Sequence, residues 1–438
     1  MPKKIEINEK FQTALDLMEK SGRNVFITGR AGTGKSTLLD IFRKQTKKRV
    51  VVLAPTGVAA LNVGGQTIHS FFHFKPNVTL NKIRAYKKDD PKRELFQKIK
   101  VMVIDEISMV RADLIDCVDK FMRLNGPSAD LPFGGVQVIF IGDLYQLPPV
   151  VTSEDKLTLQ MHYETPYFFS AKCLNDESGA MFDMAYIELD KIYRQEDEHF
   201  INVLNAVRNN SAGEKEMAIL NARLYENFLP APEDFYIYLT TTNDRASEIN
   251  LEYLDRLPDE STISTADVFG DFERKSFPTD IELEFKVGAQ IMMLNNDLSR
   301  RWVNGTIGHI ISIEQHELIG TVVIVEFLNG RVEEIHRHKW DLYSYYLNKK
   351  SGAIESKSTG SFTQFPFRLA WAITIHKSQG KTFEKVILDI GRGTFAHGQM
   401  YVALSRCTTL EGLVLKRRLS RYNILMDMAV VKYMGRFL

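Results

Sequence analysis

The sequence predicts an α/β protein with two parallel-sheet domains in tandem and two smaller insertions. Three observations carry that expectation. Short apolar runs alternate with helical patterns from about residue 24 to 150, and again from about 235 to 416. A phosphate-loop consensus follows the first run, and a stretch of alternating strands interrupts the second block.

In the first block the runs are NVFIT, RVVVLA, VMVID and VQVIFIG. Each is apolar throughout rather than at every second position, the pattern of a strand covered on both faces in a parallel sheet. The second block opens with FYIYLTT, resumes with RLAWAITI and KVILDI, and closes with GLVLK. Between them TIGHIISI, GTVVIVEF and RVEEIHRH alternate apolar and polar residues and are joined by glycine or polar turns, as in a small antiparallel barrel. The other insertion places Phe71, Phe72 and Phe74 before a basic stretch that runs to Lys100.

The bulk properties exclude several classes. A chain of 438 residues exceeds one ordinary core, so several domains are expected. Cys117, Cys173 and Cys407 form no CxxC pair, which argues against a zinc cluster or a disulfide framework. The N-terminal residues are charged, and no run is long and apolar enough for a membrane span, so a cytoplasmic protein, or a nuclear one in a eukaryote, is expected. Net charge is only +1, with basic runs at 43–49 and 82–100. Each such run alone reads more readily as a solvated helix face than as a nucleic-acid track, so charge alone decides nothing.

Gly29, Gly32, Thr33, Gly34, Lys35, Ser36 and Thr37 lie in GRAGTGKST, between an apolar strand and a helical pattern. Glycines let the loop wrap closely, so that backbone N–H groups and a helix N-terminus face the phosphates of ATP. Lys35 is expected to neutralise β and γ phosphates, and the Ser36 hydroxyl to ligate Mg2+. VMVIDEIS ends an apolar strand in two carboxylates. Asp105 is the second candidate for Mg2+, and Glu106 the candidate general base toward the attacking water. VIFIGDLYQLPPV is a third strand ending in polar residues, where Gln146 is placed to sense the γ-phosphate and Pro148 to relay the change.

The order of these strings, with APTGVAA, GGQTIHSFF, WAITIHKSQGKTF and QMYVALSRC, resembles the Pif family of DNA helicases, the 5′-to-3′ branch of superfamily 1. EISMV through PFGGVQVIFIGD is similar to that family's signature region, and VNGTIG to the entry of its small barrel domain. The resemblance covers nearly the whole chain. It implies RecA-like domain 1A at 1–62 and 101–190, a 1B wedge segment at 63–100, RecA-like domain 2A at 191–300 and 366–438, and an SH3-like domain 2B at 301–365. It also implies a small hairpin within 1B.

Further site residues follow from the resemblance. Gln12 corresponds to the adenine-reading glutamine, Tyr193 to an adenine-stacking ring, and Gly380 to a glycine lining the γ-phosphate pocket. Arg194 and Arg406 correspond to arginine fingers, with structural arginines as the competing reading. Strand contacts are implied at Pro55, Thr56, His69, Phe72, Pro148, Thr374, His376 and Lys377. For Phe72 a core position, and for His376 a satisfied structural histidine, are the alternatives. The implied activity is ATP-driven 5′-to-3′ translocation on single-stranded DNA by a monomer. Single-strand/duplex junctions, G-quadruplexes and RNA:DNA hybrids are the implied substrates, in roles such as DNA repair and telomere maintenance. A translocating subunit with poor unwinding, and a single-strand-binding scaffold with a dead ATPase, are the competing functions.

Overall fold

The computed structural model describes residues 7–175, 182–195, 197–272, 274–318, 320–391, 393–394 and 396–437. The chain forms two compact units. The first holds 1–193, 342–359 and 427–438; the second holds 194–341 and 360–426.

The first unit is built on six strands, β1 (Asn24–Gly29), β2 (Val50–Ala54), β3 (Gln66–Thr67), β4 (Val101–Ile104), β5 (Gln137–Ile141) and β6 (Met184–Leu189), in the order β3-β2-β4-β5-β1-β6. The pairs run parallel throughout. All four runs expected from the sequence are here. Their wholly apolar character has a direct cause: Phe26 of β1 faces one core with Phe140 and Phe168, while Val25 and Ile27 face another with Leu38, Leu39 and Phe42. Helices on both faces require apolar side chains at successive positions.

In the second unit β7 (Ile237–Thr240) is the first strand. It is followed by β8 (Thr262–Thr265), β9 (Asp267–Gly270), β10 (Glu282–Phe285), β11 (Gln290–Met293), β12 (Ile307–His316), β13 (Gly320–Phe327) and β14 (Val332–Ile335). Next come β15 (His338–Leu347) and β16 (Ile354–Gln364), of which 342–347 and 354–359 fall in the first unit, then β17 (Phe367–Leu369), β18 (Ala372–Thr374), β19 (Val386–Asp389) and β20 (Leu413–Leu415). A parallel sheet of order β18-β7-β19-β20 matches the expected second block. The alternating strings form β12, β13 and β14, which pair antiparallel and are joined by β11 and β17 in a five-stranded sheet. The antiparallel region thus begins before residue 301: β8–β11 precede it, and β9 pairs with β16.

Three expectations are corrected. The C-terminal residues from 427 do not continue the second domain. The helix Met428–Met434 buries Val430, Tyr433 and Met434 in the first unit's core, with the Tyr433 ring stacked on Phe169 at 4.2 Å. Residues 342–359, expected in the barrel, also belong to the first unit. There the Tyr345 hydroxyl accepts from the Val52 amide at 3.1 Å, and the Tyr345 amide donates to the Gln66 side-chain carbonyl at 3.0 Å. Finally, 63–100 contains no hairpin: its single strand is β3, and the rest is helix, 3-10 turn and loop closed around Phe71, Phe72 and Phe96.

Candidate nucleotide and nucleic-acid sites

In the first unit β1, β5 and β4 are neighbours, so their carboxyl ends converge. The loop after β1 carries Gly29, Gly32 and Gly34 at φ of 152°, 83° and 86°. A Cβ at Gly29 would lie 2.6 Å from the Leu189 carbonyl oxygen, so only glycine fits there. Gly34 caps the helix Lys35–Gln45, leaving the first-turn N–H groups of Lys35, Ser36 and Thr37 at its mouth. The Lys35 ammonium folds back onto the carbonyls of Gly29 (2.7 Å) and Arg30 (3.1 Å). Thr33 is buried and donates its hydroxyl to the Arg30 carbonyl at 2.9 Å, while Ser36 is exposed.

After β4, Asp105 is buried and its amide donates to the Leu53 carbonyl at 2.8 Å. Burial, then the charge of Glu106, raise its pKa, opposed by the Glu106 amide and the Lys35 ammonium. Glu106 sits at φ 50°, ψ 43°, a left-handed conformation unfavourable for an L-residue with a long side chain. The turn leaves the two carboxylates close enough for the Glu106 charge to act on Asp105. Gly142 makes this possible, since a Cβ there would come within 3.0 Å of the Ile107 amide nitrogen. After β5, Gln146 is buried and donates its side-chain amide to Asp143 at 3.2 Å, and Pro148 is partly buried nearby in the chain. The Ser36 hydroxyl and the Asp105 carboxylate are hard oxygen donors, the type that suits Mg2+.

Tyr193 closes the first unit's set by donating its amide to the Gly32 carbonyl at 2.9 Å, with the Lys191 ammonium 5.6 Å from its ring centre. Gln12 lies on the exposed face of the helix Glu9–Asp16 and donates its side-chain amide to Asp16 at 3.0 Å.

The second unit gathers Arg194, Gly380 and Arg406. Arg194 donates to the carbonyls of Ser405 (3.3 Å) and Gly380 (3.4 Å), and burial lowers its pKa to about 10. Arg406 is wholly buried. Its guanidinium donates to the carbonyls of Val402 (2.9 Å), Ser378 (3.2 Å) and Lys381 (3.1 Å), and to the Ser405 hydroxyl (2.9 Å). In this arrangement Arg406 acts as a structural brace for the loop carrying Gly380, which sits at φ 79°.

Among the expected strand contacts, Thr56 is exposed and caps the next helix by accepting from the Ala59 amide at 3.2 Å, with Pro55 partly buried beside it. His69 is half-buried in the short helix Ile68–Phe72. Phe72 is a correction: at 2% exposure it packs among Phe71, Phe74, Phe96 and Phe121 and has no face for a base. Thr374 is also buried, and its hydroxyl accepts from the Lys377 amide at 3.2 Å, shaping the loop from within. His376 is half-buried, and burial lowers its pKa from the ordinary histidine value. Lys377 is exposed.

The sequence did not disclose Gln195, nor what the PFGG string does in the fold. Gln195 donates to the carbonyls of Ser405 and Cys407, and binds the Arg194 segment to the Arg406 turn. The PFGG string folds onto the helix Ala112–Asn125, where the Phe133 amide donates to Asp119 at 2.6 Å. A Cβ at Gly134 would meet the Met122 carbonyl oxygen at 2.5 Å. The signature region is thus a packing device whose glycine permits close backbone contact, and a glycine after an aromatic was its one visible sign.

A family model described as PIF1-like helicase matches residues 6–217. The ATP-dependent DNA helicase Pif1 of Bdellovibrio bacteriovorus is 31% identical over 93% of this chain and 87% of its own. The chain belongs to the PIF1-like helicase family. Among animal relatives, the ATP-dependent DNA helicase PIF1 of Xenopus laevis is 34% identical over 94% of this chain. The chain spans 62% of that protein's length, about three fifths. Among solved structures, Bacteroides sp Pif1 in complex with ADP-AlF4 is 36% identical, with a TM-score of 0.89, covering 99% of this chain and 97% of that one. The same protein bound to ssDNA gives a TM-score of 0.69 at the same identity and coverage.

Proposed function

We propose that this chain is an ATP-dependent DNA helicase that travels 5′ to 3′ on single-stranded DNA. The observation that carries the reading is the convergence of Lys35, Asp105–Glu106 and Gln146 at the ends of three adjacent parallel strands. Motif order and family membership support the direction of travel and the choice of DNA, and the Bacteroides Pif1 crystals with ssDNA support the strand as partner.

In the proposed reaction Lys35 exchanges its bonds to the Gly29 and Arg30 carbonyls for phosphate oxygens. Glu106 orients the attacking water and accepts its proton. Gln146 senses the γ-phosphate beside it. Ser36 and Asp105 would hold Mg2+, which when bound supplies charge neutralisation on the phosphates. Arg194 and Arg406 are proposed to stabilise transition-state charge, and for Arg406 this requires release from its carbonyl partners. Thr56, His69 and Lys377 contact phosphates without reading bases, which suits a motor that moves over any sequence. Junctions, G-quadruplexes and RNA:DNA hybrids fall within the same proposal, as does action as a monomer.

The test is ATP hydrolysis with and without a single-stranded oligonucleotide, in the parent chain and in Glu106→Gln. Strand-stimulated hydrolysis that collapses in the variant is expected. Hydrolysis indifferent to the strand, or undiminished in the variant, contradicts the reading.

A further inference from the structure

Lys381 follows Gly380 in the loop after β18, and both its backbone and its side chain are held. Its amide donates to the Ser378 carbonyl at 3.0 Å, and its own carbonyl accepts from Arg406 at 3.1 Å. Its stem lies along the VNGTIG turn: Gly305, at φ 99°, stands where an added Cβ would be 3.6 Å from the Lys381 Cβ. The ammonium ends on the Asn304 side-chain carbonyl, and Asn304 is itself held by its amide's bond to the Asn296 side chain at 2.9 Å. A neutral amide thus occupies the place where a buried lysine ordinarily meets a carboxylate.

The surrounding charge is lopsided. Arg368 and Lys377 stand close enough that the Arg368 charge disfavours the charged forms of both lysines. Asp280 is the acid that acts on Arg368 and Lys377. Lys381 makes no ion pair among the described residues. Arg368 donates to the Pro278 carbonyl, and its Nε is buried without a hydrogen-bond partner. Asp280 thus answers Arg368 and Lys377, whereas the desolvated Lys381 meets only the neutral Asn304, an arrangement that is costly unless an anion arrives.

We propose that Lys381, flanked by Arg368 and Lys377, is an anion seat that takes one backbone phosphate of the bound strand, with Asn304 holding the ammonium until the phosphate displaces it. The seat rests on the reading of this chain as a strand-binding motor, since it continues the loop of Thr374, His376 and Lys377. A nucleotide phosphate has the same chemistry, and the test separates the two sources. The seat also accounts for VNGTIG at the entry to the antiparallel region: its asparagine is the placeholder, and its glycine takes the φ of 99° that the turn beside the lysine stem requires.

The test is binding of a fluorescent oligothymidylate by the full chain across a salt series, for the parent, Lys381→Gln and Asn304→Asp. A lost phosphate contact makes the log–log salt dependence shallower by about 0.7 for a single strand. Lys381→Gln is expected to show that change together with about tenfold weaker binding at low salt. Asn304→Asp keeps the lysine but gives it a permanent carboxylate, and the same loss is expected, whereas a merely structural lysine would be supported by that change. It also carries the test if Lys381→Gln fails to fold. A parental slope retained in both variants overturns the seat while leaving strand binding intact. A raised KM for ATP with an unchanged slope overturns the strand assignment in favour of the nucleotide. A parent chain that binds no oligonucleotide overturns the motor reading, and the seat falls with it.

Discussion

The Arg406 guanidinium donates to the Lys381 carbonyl at 3.1 Å and to the Ser378 carbonyl at 3.2 Å, so one buried side chain fixes both ends of the turn that presents Gly380. The turn carries the proposed phosphate seat and directly follows the candidate strand contacts Thr374, His376 and Lys377. Any event that draws Arg406 toward a phosphate is therefore expected to loosen the loop that carries the proposed strand contacts.

Removing that brace has a measurable cost. Arg406→Ala leaves several buried carbonyls without donors, and about 3 kcal/mol of stability should be lost. Arg406→Lys keeps the charge but not the fork, so chemical denaturation should place it between parent and alanine variant. An alanine variant as stable as the parent would show that the brace is energetically idle.

Phe72 offers the opposite test. Its ring lies in an aromatic core with Phe71, Phe74, Phe96 and Phe121. Phe72→Ala should cost about 3–5 kcal/mol of stability. Phe72→Leu, which keeps most of the volume, should bind an oligonucleotide as the parent does. Weakened binding in a well-folded leucine variant would return Phe72 to the strand.

Glu106 is assigned the proton-accepting role, so Glu106→Gln should lower kcat by about 10²–10⁴-fold. Nucleotide affinity should change little, because Lys35 and the loop amides are untouched. Equilibrium binding of a fluorescent ATP analogue, beside steady-state hydrolysis, separates the two effects.

The phosphate seat predicts a pH dependence. Burial, then the Arg368 charge, lower the Lys381 pKa to about 8; neutral Asn304 accepts from its ammonium, and the Asp280 charge acts on Arg368 and Lys377. A phosphate favours the ammonium and raises that pKa. Binding is therefore level below about pH 8 and weakens as pH rises above it, because the strand must then recruit a proton. Lys381→Arg, charged throughout, should flatten the profile; an unchanged profile assigns the titration elsewhere.

The nucleotide half of the candidate site was legible because its chemistry is written in contiguous strings at strand ends. GRAGTGKST, DEIS and the GDLYQ turn hold their places whatever surrounds them. The strand half was less legible. Phe71, Phe72 and Phe74 read alike whether they stack on bases or fill a core, and only the position of the helix Ala112–Asn125 decides. Chain order misled at the C-terminus, since Val430 and Tyr433 are ordinary apolar residues whose partners, Phe168 and Phe169 among them, are remote in sequence. Tyr345 was hidden for the same reason, on a hairpin whose alternation resembles that of any barrel strand.

ATP-dependent unwinding of one DNA duplex bearing either a 5′ or a 3′ single-stranded tail separates a 5′-to-3′ helicase from every other reading of the chain. The account predicts strand separation from the 5′-tailed duplex alone, abolished in Glu106→Gln. Unwinding from the 3′ tail, or unwinding of neither under conditions where the strand stimulates hydrolysis, would contradict it.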